Sequence, residues 1–520
     1  MAKKPTYAVA MEEQAQTLAR ALLMAYGLDP AKDVVSREHA SAAYAAALKG
    51  ATCHRLEAKL TKKDLKLIAV GDETGDRKPL VERFGNLYLQ RYDALEADLA
   101  AYIEKKAQET GGRHTVSDRW LKGCDASQMD AVRLAGTTSL MILTGGPGTG
   151  KTTTATRILA SALVDGGIEI DRVRLCAPTG RAASRLRESI VNAQILQGAG
   201  LDIDRLQPAQ TMHKLLSDKE QMAVTKLFLV DECSMIDLHI FAQFIQNVPA
   251  DSKVILLGDP RQLPSVETGS VFADLCETKR LSKVRANLTH NHRLPPAVHA
   301  AALNVMNQKE GKPLESIEPN KDAIVEACSK DYAKLVNAAV AADFVKVDAL
   351  INSVRVLCSH HSGPTGVTAL NIAIQEKLGL RSASQPGQVI MVTQNDSHVT
   401  GLMNGDVGVV VPGKRAKFFG RPTTFALSDL RGTVSAFATT IHKSQGSEYE
   451  KVILVLSDSE QEGFLCRELL FTGVTRAKAQ LGPLGTDKAA IFASKKALEA
   501  MLAEGAKRAS GLKERLDGLA

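Results

Sequence analysis

The sequence predicts an α/β protein that has two parallel-sheet domains, a helix-rich N-terminal domain and a small β insertion in the second sheet domain. Three observations support this fold class. A glycine-rich loop follows the apolar run Leu140–Leu143, and short apolar runs alternate with helical patterns from Ser139 onward. Between Pro386 and Val434 the pattern changes to closely spaced β-rich pieces divided by turn residues.

The N-terminal part of the chain predicts a separate helical domain. Ala-rich amphipathic stretches cover Met11–Met24 and Ala40–Leu60. The polar stretch Thr110–His114 is typical of a linker. We therefore expect a first domain at residues 1–115.

Short apolar runs in the rest of the chain predict buried strands of parallel sheets, which alternate with helices. These runs are Val173–Ala177, Leu227–Val230, Val254–Leu257, Val354–Cys358 and Val452–Leu456. Because such runs are numerous enough for two sheets, we expect one sheet domain at residues 116–282 and a second at residues 283–385 and 435–520.

The β insertion is expected at residues 386–434, inside the second sheet domain. Its β-rich pieces are Gln388–Thr393, Val407–Val411 and Thr423–Leu427, and the turn sequences Asn404-Gly405-Asp406 and Pro412-Gly413 separate them. The Ala/Lys/Glu-rich tail from Lys495 predicts a solvated terminal helix.

Composition narrows the classes of protein that fit. The chain has 520 residues, and its net charge of +7 fits a polyanionic partner. Its low aromatic content of 4% argues against a broad platform on which bases stack. Its eight cysteines form no C-x-x-C pair, which argues against zinc and disulfides and favours a reducing, cytoplasmic location. No apolar run is long enough to span a membrane, and the N-terminus lacks the apolar core of a secretory signal.

The glycine-rich loop predicts a nucleoside triphosphate site. Strand, glycine loop and helix follow one another, so that backbone N–H groups can surround phosphates. Lys151 is expected to reach the β and γ oxygens, and the Thr152 hydroxyl to bind Mg²⁺. The expected nucleotide contacts here are Gly145, Gly146, Pro147, Gly148, Thr149, Gly150, Lys151, Thr152 and Thr153.

Further candidates follow at strand ends and near the loop. Asp231 and Glu232 end a buried strand, where Asp231 suits Mg²⁺ and Glu232 suits activation of the attacking water. Gln262 follows the next strand and can orient water or sense the γ-phosphate. Gln128 precedes the first strand and can read the adenine edge. Arg293 and Arg476 are the two candidates for the arginine that stabilises the transition state.

Several segments in order resemble the motifs of superfamily 1 helicases. They are Gly145–Thr152, Ala177–Ala183, Thr211–His213, Val230–Asp237, Gly258–Val266, Thr440–Glu448 and Phe471–Arg476. The resemblance implies two RecA-like motor domains that bind ATP and Mg²⁺. It also implies that Arg293 and Arg476 act as arginine fingers and that Gly446 and Glu448 contact the nucleotide. The residues in motifs that face single-stranded DNA are Thr179, His213, Thr440 and His442.

Within that superfamily the chain resembles the RecD family, the 5′→3′ motor subunits of RecBCD complexes. The resemblance is carried by Asp231–Asp237, by Asn395–Ser397 with Asn404–Gly408, and by the segment from Lys78 to Tyr92. It implies that residues 386–434 form an SH3-like element and that residues 1–115 dock on a RecC-like subunit. A heterotrimer with RecB-like and RecC-like subunits, acting on single strands and duplex DNA ends in recombinational repair, is then expected. The stretch before Arg293 is shorter than in that family, which leaves open how the second motor domain begins.

Two other hypotheses remain. A self-sufficient 5′→3′ helicase or a conjugative relaxase motor would carry extra N-terminal modules, such as helix-hairpin-helix repeats, which the sequence does not show. An assembly subunit that uses ATP only as a switch has no need of Glu232, Gln262, Arg293 and Arg476 together. We expect no nuclease centre in this chain, because no second cluster of acids and lysine is evident.

Overall fold

The computed structural model describes residues 6–56, 60, 62–70, 78–109, 113–307, 314–396, 400–457, 465–503, 505–506 and 508–518. The chain forms two compact units. The first comprises Met1–Pro260, Pro264–His290 and Lys507–Ala520, and the second comprises Arg261–Leu263 and Asn291–Ala506. Part of the predicted linker, residues 110–112, and Ser397 lie outside the described residues.

The N-terminal region is helix-rich, as predicted, but it also contains a sheet. Its helices are α1 (Thr6–Ala25), α2 (Val34–Leu48) and α3 (Gln90–Gln108), and its strands are β1 (Cys53–Arg55), β2 (Ile68–Val70), β3 (Leu80–Arg83) and β4 (Asn86–Leu89). The strands form one sheet in the order β1-β4-β3-β2. Among the described residues, the prediction of a helical stretch through Leu60 is wrong beyond Leu48, and residues 57–59 lie outside the described residues. Gly50, at φ +80°, turns the chain out of the helix, and β1 then pairs with β4.

The first unit contains a six-stranded parallel sheet, which confirms the predicted α/β class. Its helices are α4 (Ala126–Thr137), α5 (Lys151–Val164), α6 (Gly180–Val191), α7 (Gln194–Gln197), α8 (Met212–Ser217), α9 (Lys219–Val224), α10 (Leu238–Asn247) and α11 (Val271–Glu277). Its strands are β5 (Leu140–Gly145), β6 (Val173–Ala177), β7 (Gln210–Thr211), β8 (Leu227–Val230), β9 (Lys253–Gly258) and β10 (Arg285–Leu288), ordered β10-β5-β9-β8-β6-β7.

The sheet of the first unit is buried on both faces. Along β5, Leu140 and Ile142 pack into one core, and Met141 and Leu143 pack into another. This alternation explains why β5 reads as a continuous apolar run. Strand β10 pairs with β5, so the first sheet extends past the predicted domain boundary at residue 282.

The second unit contains another parallel sheet, also as predicted. Its helices are α12 (Pro296–Asn307), α13 (Lys321–Val340), α14 (Phe344–Leu350), α15 (Val367–Lys377), α16 (Arg467–Val474) and α17 (Lys495–Ala503). Its strands are β11 (Leu314–Ile317), β12 (Val354–Cys358), β13 (Val389–Val392), β14 (Val407–Val411), β15 (Arg415–Phe418), β16 (Thr424–Ala426), β17 (Thr433–Ser435), β18 (Ala438–Thr440), β19 (Tyr449–Leu456), β20 (Ala477–Leu481) and β21 (Ala489–Ala493). The parallel sheet runs β11-β21-β19-β12-β18, with β20 paired to β19.

The β-rich segment of the second unit forms a separate antiparallel sheet in the order β16-β15-β14-β13-β17. The three predicted β-rich pieces correspond to β13, β14 and β16. Strands β15 and β17 are more polar, and the apolar pattern does not predict them. The SH3-like character of this sheet stays a prediction.

The C-terminal end of the chain returns to the first unit. A last helix, α18 (Leu512–Asp517), buries Leu512 and Leu516 in the same core as Leu99 and Ile103 of α3. The prediction of a solvated terminal helix is therefore wrong for this segment. Two leucines four residues apart give α18 an apolar face that packs on the protein.

In the part of the chain that the structure describes, no helix is both long and apolar enough to cross a bilayer.

Candidate active site

The phosphate loop joins β5 to α5 in a conformation that only glycines allow at several positions. Gly148 and Gly150 have φ values of +80° and +81°, in the left-handed region. A Cβ on Gly145 would lie 2.5 Å from Thr149 Oγ1. The first amides of α5 have no side-chain cap, so they remain available to an anion at the helix N-terminus.

The Lys151 ammonium lies over this loop. Its Nζ donates to Gly145 O at 2.7 Å and to Gly146 O at 3.1 Å. Thr149 Oγ1 also donates to Gly146 O, at 2.8 Å. The loop thus holds the cation beside the backbone that is expected to surround the phosphates.

Gln128 joins the start of α4 to the phosphate loop through its side-chain hydrogen bonds. Its backbone N–H donates to Asp125 Oδ1 at 3.0 Å, and its Oε1 accepts from the Asp125 N–H at 3.2 Å, which is a capping box at the start of α4. Its Nε2 donates to Thr149 O at 3.3 Å. The Asp125–Gln128 spacing is the sequence signal for this capping box, and adenine recognition by Gln128 stays a prediction.

Two adjacent acids follow β8. Asp231 Oδ1 accepts from the Glu232 N–H at 2.8 Å. Burial, reinforced by the charge of Glu232, raises the pKa of Asp231 to about 6, and the charges of Lys151 and Arg185 oppose this rise. Arg185, on α6, is a basic neighbour of the acids that sequence reasoning missed.

Glu232 has a strained backbone, with a φ of +52°. A non-glycine residue in the left-handed region is disfavoured by roughly 1 kcal/mol, and such positions concentrate at functional sites. The left-handed conformation of Glu232 changes the direction of the chain after Asp231. Both acids lie just beyond the C-terminal end of β8.

The residues present fit a magnesium ion. Thr152 offers a hydroxyl and Asp231 a carboxylate, and both are the hard oxygen ligands that Mg²⁺ prefers. Burial raises the pKa of Asp231, and a cation bound beside this carboxylate would stabilise its charged form. Among the described residues, no group of three or more His, Cys, Asp or Glu side chains forms another metal site.

Residues 261–263 lie in the second unit, against α16. The Leu263 N–H donates to Thr472 Oγ1 at 3.0 Å, and Gln445 Nε2 donates to Leu263 O at 3.3 Å. The Arg261 guanidinium lies 5.3 Å from the centre of the Phe471 ring. Gln262, between them, is 6% exposed. The segment that carries Gln262 therefore touches the two motifs that contain Gly446 and Arg476.

Arg476 is buried at the end of α16, with 3% of its surface exposed. Its Nε donates to Thr472 O at 3.0 Å, and its Nη1 donates to Ser447 O at 3.2 Å. Ser447 lies between Gly446 and Glu448, so Arg476 fixes the loop that carries both predicted nucleotide contacts.

Arg293 forms a bidentate pair with Glu448. Its Nη1 donates to Glu448 Oε2 at 2.8 Å, and its Nη2 lies 2.5 Å from Glu448 Oε1. The Arg293 side chain is 40% exposed, whereas that of Glu448 is 12% exposed. The resemblance predicts that both residues contact the nucleotide, and in the structure they bind each other.

The four predicted DNA contacts lie at loop and helix starts. Thr179 caps α6 by accepting from the Ala182 N–H at 3.2 Å, and Thr440 accepts from the Lys443 N–H at 3.3 Å. His213 is exposed at the start of α8. Burial lowers the pKa of His442. The capping contacts explain the two threonines locally, and contact with DNA stays a prediction for all four residues.

The site residues divide between the two units. Those in the first unit are Gln128, residues 145–153, Thr179, His213, Asp231 and Glu232. Those in the second unit are Gln262, Arg293, Thr440, His442, Gly446, Glu448 and Arg476.

Comparison with known proteins identifies matching domains and relatives. Residues 123–325 match an AAA domain, and residues 435–482 match a UvrD-like helicase C-terminal domain. The RecBCD enzyme subunit RecD of Mycolicibacterium smegmatis is 34% identical over 84% of this chain and 84% of its own length. The RecD subunit of Haemophilus influenzae is 30% identical over 82% of this chain and 76% of its own. The ATP-dependent RecD2 DNA helicase of Deinococcus radiodurans is 28% identical over 80% of this chain and 57% of its own.

Among solved structures, a Pif1 helicase is similar at 17% identity, covering 76% of this chain and 94% of that chain, with a TM-score of 0.42. Bacteroides Pif1 bound to single-stranded DNA is similar at 16% identity, covering 75% and 93%, with a TM-score of 0.41.

The phosphate loop, the two matched domains and the pair of parallel sheets define a superfamily 1 helicase, an enzyme that hydrolyses ATP. The chain belongs to the RecD family, and it is an ATP-dependent 5′→3′ DNA helicase.

Proposed function

We propose that this chain is the 5′→3′ motor of a RecBCD-type heterotrimer, in which RecB-like and RecC-like subunits are its partners and DNA ends are its substrate. The observation that carries the proposal is the division of the ATPase residues. The phosphate loop and the acids belong to one unit, whereas Arg293 and Arg476 belong to the other. Such a division suits a motor in which nucleotide binding changes the arrangement of two domains.

In the first unit, the chemistry proposed is nucleotide binding and water activation. The phosphate loop and Lys151 bind the triphosphate of ATP, and Gln128 reads its adenine. Thr152 and Asp231 hold Mg²⁺, which supplies positive charge that neutralises the phosphate oxygens. Glu232 accepts the proton of the attacking water. Its position directly after Asp231, whose Oδ1 accepts a hydrogen bond from the Glu232 N–H, supports this role.

In the second unit, Arg293 and Arg476 are proposed to stabilise the charge that develops on the γ-phosphate. Arg476 is held by two backbone carbonyls, so that little reorganisation is needed before it acts. Glu448 and Gly446 contact the nucleotide from the same side, and Gln262 couples its state to DNA. The hydrogen bonds that join Leu263, next to Gln262, to Thr472 and Gln445 support this coupling.

For the DNA, we propose contacts by Thr179 and His213 from the first unit and by Thr440 and His442 from the second. Hydroxyls and imidazoles near helix starts can bind phosphate and sugar without reading bases. Binding that is largely independent of sequence follows, as a motor that advances along any strand requires.

A motor that works without RecB-like and RecC-like subunits is the second candidate. The similarity to the Deinococcus radiodurans RecD2 helicase favours it, although the chain spans 57% of that protein and 84% of the Mycolicibacterium smegmatis RecD subunit.

A strand-displacement assay tests the proposal. The full-length chain, alone and with the RecB-like and RecC-like subunits of its source, is given duplexes that carry only a 5′ overhang or only a 3′ overhang. We expect ATP-dependent displacement from the 5′ overhang, enhanced by the partners. The Lys151→Ala variant, whose loss of the ammonium removes phosphate binding, is expected to be inactive, and Lys226→Ala is the matched control because Lys226 pairs with Asp251 at the surface.

Displacement from the 3′ overhang alone, or activity in Lys151→Ala equal to that of the unmodified chain, contradicts the proposal. Full activity and no binding of the two subunits would favour the second candidate.

A further inference from the structure

Residues 508–518, which we call the terminal strap, are tied to the N-terminal region of the first unit. Ala509 O accepts from the Thr52 N–H at 3.0 Å, and Ser510 Oγ donates to Glu96 Oε1, also at 3.0 Å. Arg515 pairs with Asp93, and its Nε lies 3.5 Å from Glu96 Oε2. Since these partners are buried, the strap is part of the folded first unit.

At the start of the strap, the Arg508 guanidinium donates to three backbone carbonyls of one loop. The acceptors are Val266 O at 3.3 Å, Glu267 O at 2.5 Å and Gly269 O at 3.2 Å. A planar guanidinium can satisfy several fixed acceptors at once, which a lysine ammonium on a flexible stem does poorly. The three bonds define the shape of the loop at residues 264–270.

The 264–270 loop has further anchors, all in the first unit. Its Gly269 N–H donates to Gly50 O at 2.9 Å, and its Thr268 O accepts from the Leu238 N–H at 3.0 Å. The Tyr92 hydroxyl lies 3.2 Å from Thr268 Oγ1. A Cβ on Gly50 would lie 2.8 Å from Arg508 Cζ, so the glycine leaves room for the guanidinium. The loop is thus bound to the N-terminal region and the strap together.

Two connections lead from this loop to the ATPase motifs, one along the chain and one through a hydrogen bond. Gln262 precedes the loop by two residues, and Leu238, which binds Thr268, begins the helix directly after the Asp231–Asp237 segment. A loop fixed at both places limits how far the backbone on either side can shift when nucleotide or DNA binds.

We propose that Arg508 is a positioning residue for the segment that carries Gln262: it holds the 264–270 loop, and through that loop it makes DNA-stimulated ATP turnover depend on the N-terminal region and the terminal strap. The inference rests on the proposed function, because it needs Gln262 to couple nucleotide to DNA.

The test compares full-length Arg508→Ala with Lys513→Ala, a control on the same strap whose Nζ lies 3.3 Å from Glu277 and outside the loop. Steady-state ATPase is measured with and without oligodeoxythymidine. In Arg508→Ala we expect kcat with DNA to fall on the order of tenfold, while KM for ATP and the rate without DNA stay within about twofold. Arg508→Lys is expected to recover part of the loss, and Lys513→Ala to behave as the unmodified chain.

Hydrogen exchange gives a readout that does not depend on activity. In Arg508→Ala, amides of residues 264–270 are expected to exchange faster than in Lys513→Ala, whereas those of α5 are unchanged. Unchanged exchange in the loop overturns the inference, and so does an equal fall of the rates with and without DNA, which would indicate general destabilisation. If the unmodified chain shows no ATPase, the proposed function fails and takes the coupling role with it, but the exchange result still decides whether Arg508 holds the loop.

Discussion

At the scale of single residues, Glu232 combines a proposed role as general base with a strained backbone. Its φ of +52° disfavours every side chain, yet the proposed role needs a carboxylate there. We predict that Glu232→Gly raises the free energy of unfolding of the first unit by about 0.5–1 kcal/mol, because glycine adopts the left-handed region without strain. The same change is expected to lower ATP turnover at least about 10²-fold, through loss of the base.

Thermal unfolding and steady-state ATPase measure the two effects. Ala342→Gly is the matched control, since Ala342 has a φ of +53° and lies outside the candidate site. It should gain stability without losing turnover. A Glu232→Gly variant that keeps its activity would remove Glu232 from the mechanism.

The two candidate arginine fingers differ in how they are held. Arg293 is partly exposed and pairs with Glu448, whereas Arg476 is buried and binds two carbonyls. We predict that Arg293→Ala and Arg476→Ala both retain nucleotide binding and both lose on the order of 10³ in turnover. Only Arg476→Ala should also lower the melting temperature, because it leaves buried acceptors without a donor.

Nucleotide titration, single-turnover hydrolysis and thermal unfolding separate these effects. A loss confined to ATP affinity would place the substituted arginine outside the transition state. Equal melting temperatures for the two variants would contradict the difference in how they are held.

At the scale of elements, the Asp274 carboxyl group of α11 lies close to Ser510 and to Glu514 of α18. Burial raises the pKa of Asp274 to about 8, and Glu96 of α3, Glu277 of α11 and Glu514 of α18 add to the rise, while a hydrogen bond with Ser510 opposes it. A raised carboxyl pKa gives stability that is fully present below the unfolded value of about 3.8 and is lost as pH rises through about 8.

We therefore predict that the melting temperature of the unmodified chain falls between about pH 5 and about pH 9 more steeply than that of Asp274→Asn, whose amide does not ionise. Asp98→Asn, an exposed change on α3, is the control and should follow the unmodified chain. Parallel curves for the unmodified chain and Asp274→Asn would show that Asp274 does not carry this dependence.

The elements also show how much the sequence could predict. Strands β5, β6, β8, β9, β12 and β19 lie where the apolar runs lie, because strands buried on both faces need apolar residues throughout. The phosphate loop could be located for a similar reason, since its glycines are required by the backbone. The N-terminal strands could not be predicted, because they are three or four residues long and only partly apolar, and their pairing depends on partners elsewhere in the chain.

For the site, residue types were predictable and their partners were not. The sequence indicated Arg293, Glu448 and Arg476 through their motifs, but no local pattern shows that Arg293 binds Glu448 or that Arg476 binds Ser447 O. Arg185 and Arg508 lie outside the helicase motifs. The charge of Arg185 opposes the rise in the pKa of Asp231, and Arg508 binds backbone carbonyls of a loop distant in sequence.

At the scale of the whole molecule, the return of residues 508–518 to the first unit has a consequence for synthesis. The part of the protein that leaves the ribosome first contains the phosphate loop, yet it lacks Leu512, Leu516 and Arg515 until the second unit has been synthesised. A nascent chain that lacks residues 508–518 therefore exposes the apolar surface that Leu512 and Leu516 cover, which is the kind of surface that chaperones and proteases recognise. Residues 508–518 thereby make the survival of the ATP-binding unit depend on synthesis of the second unit.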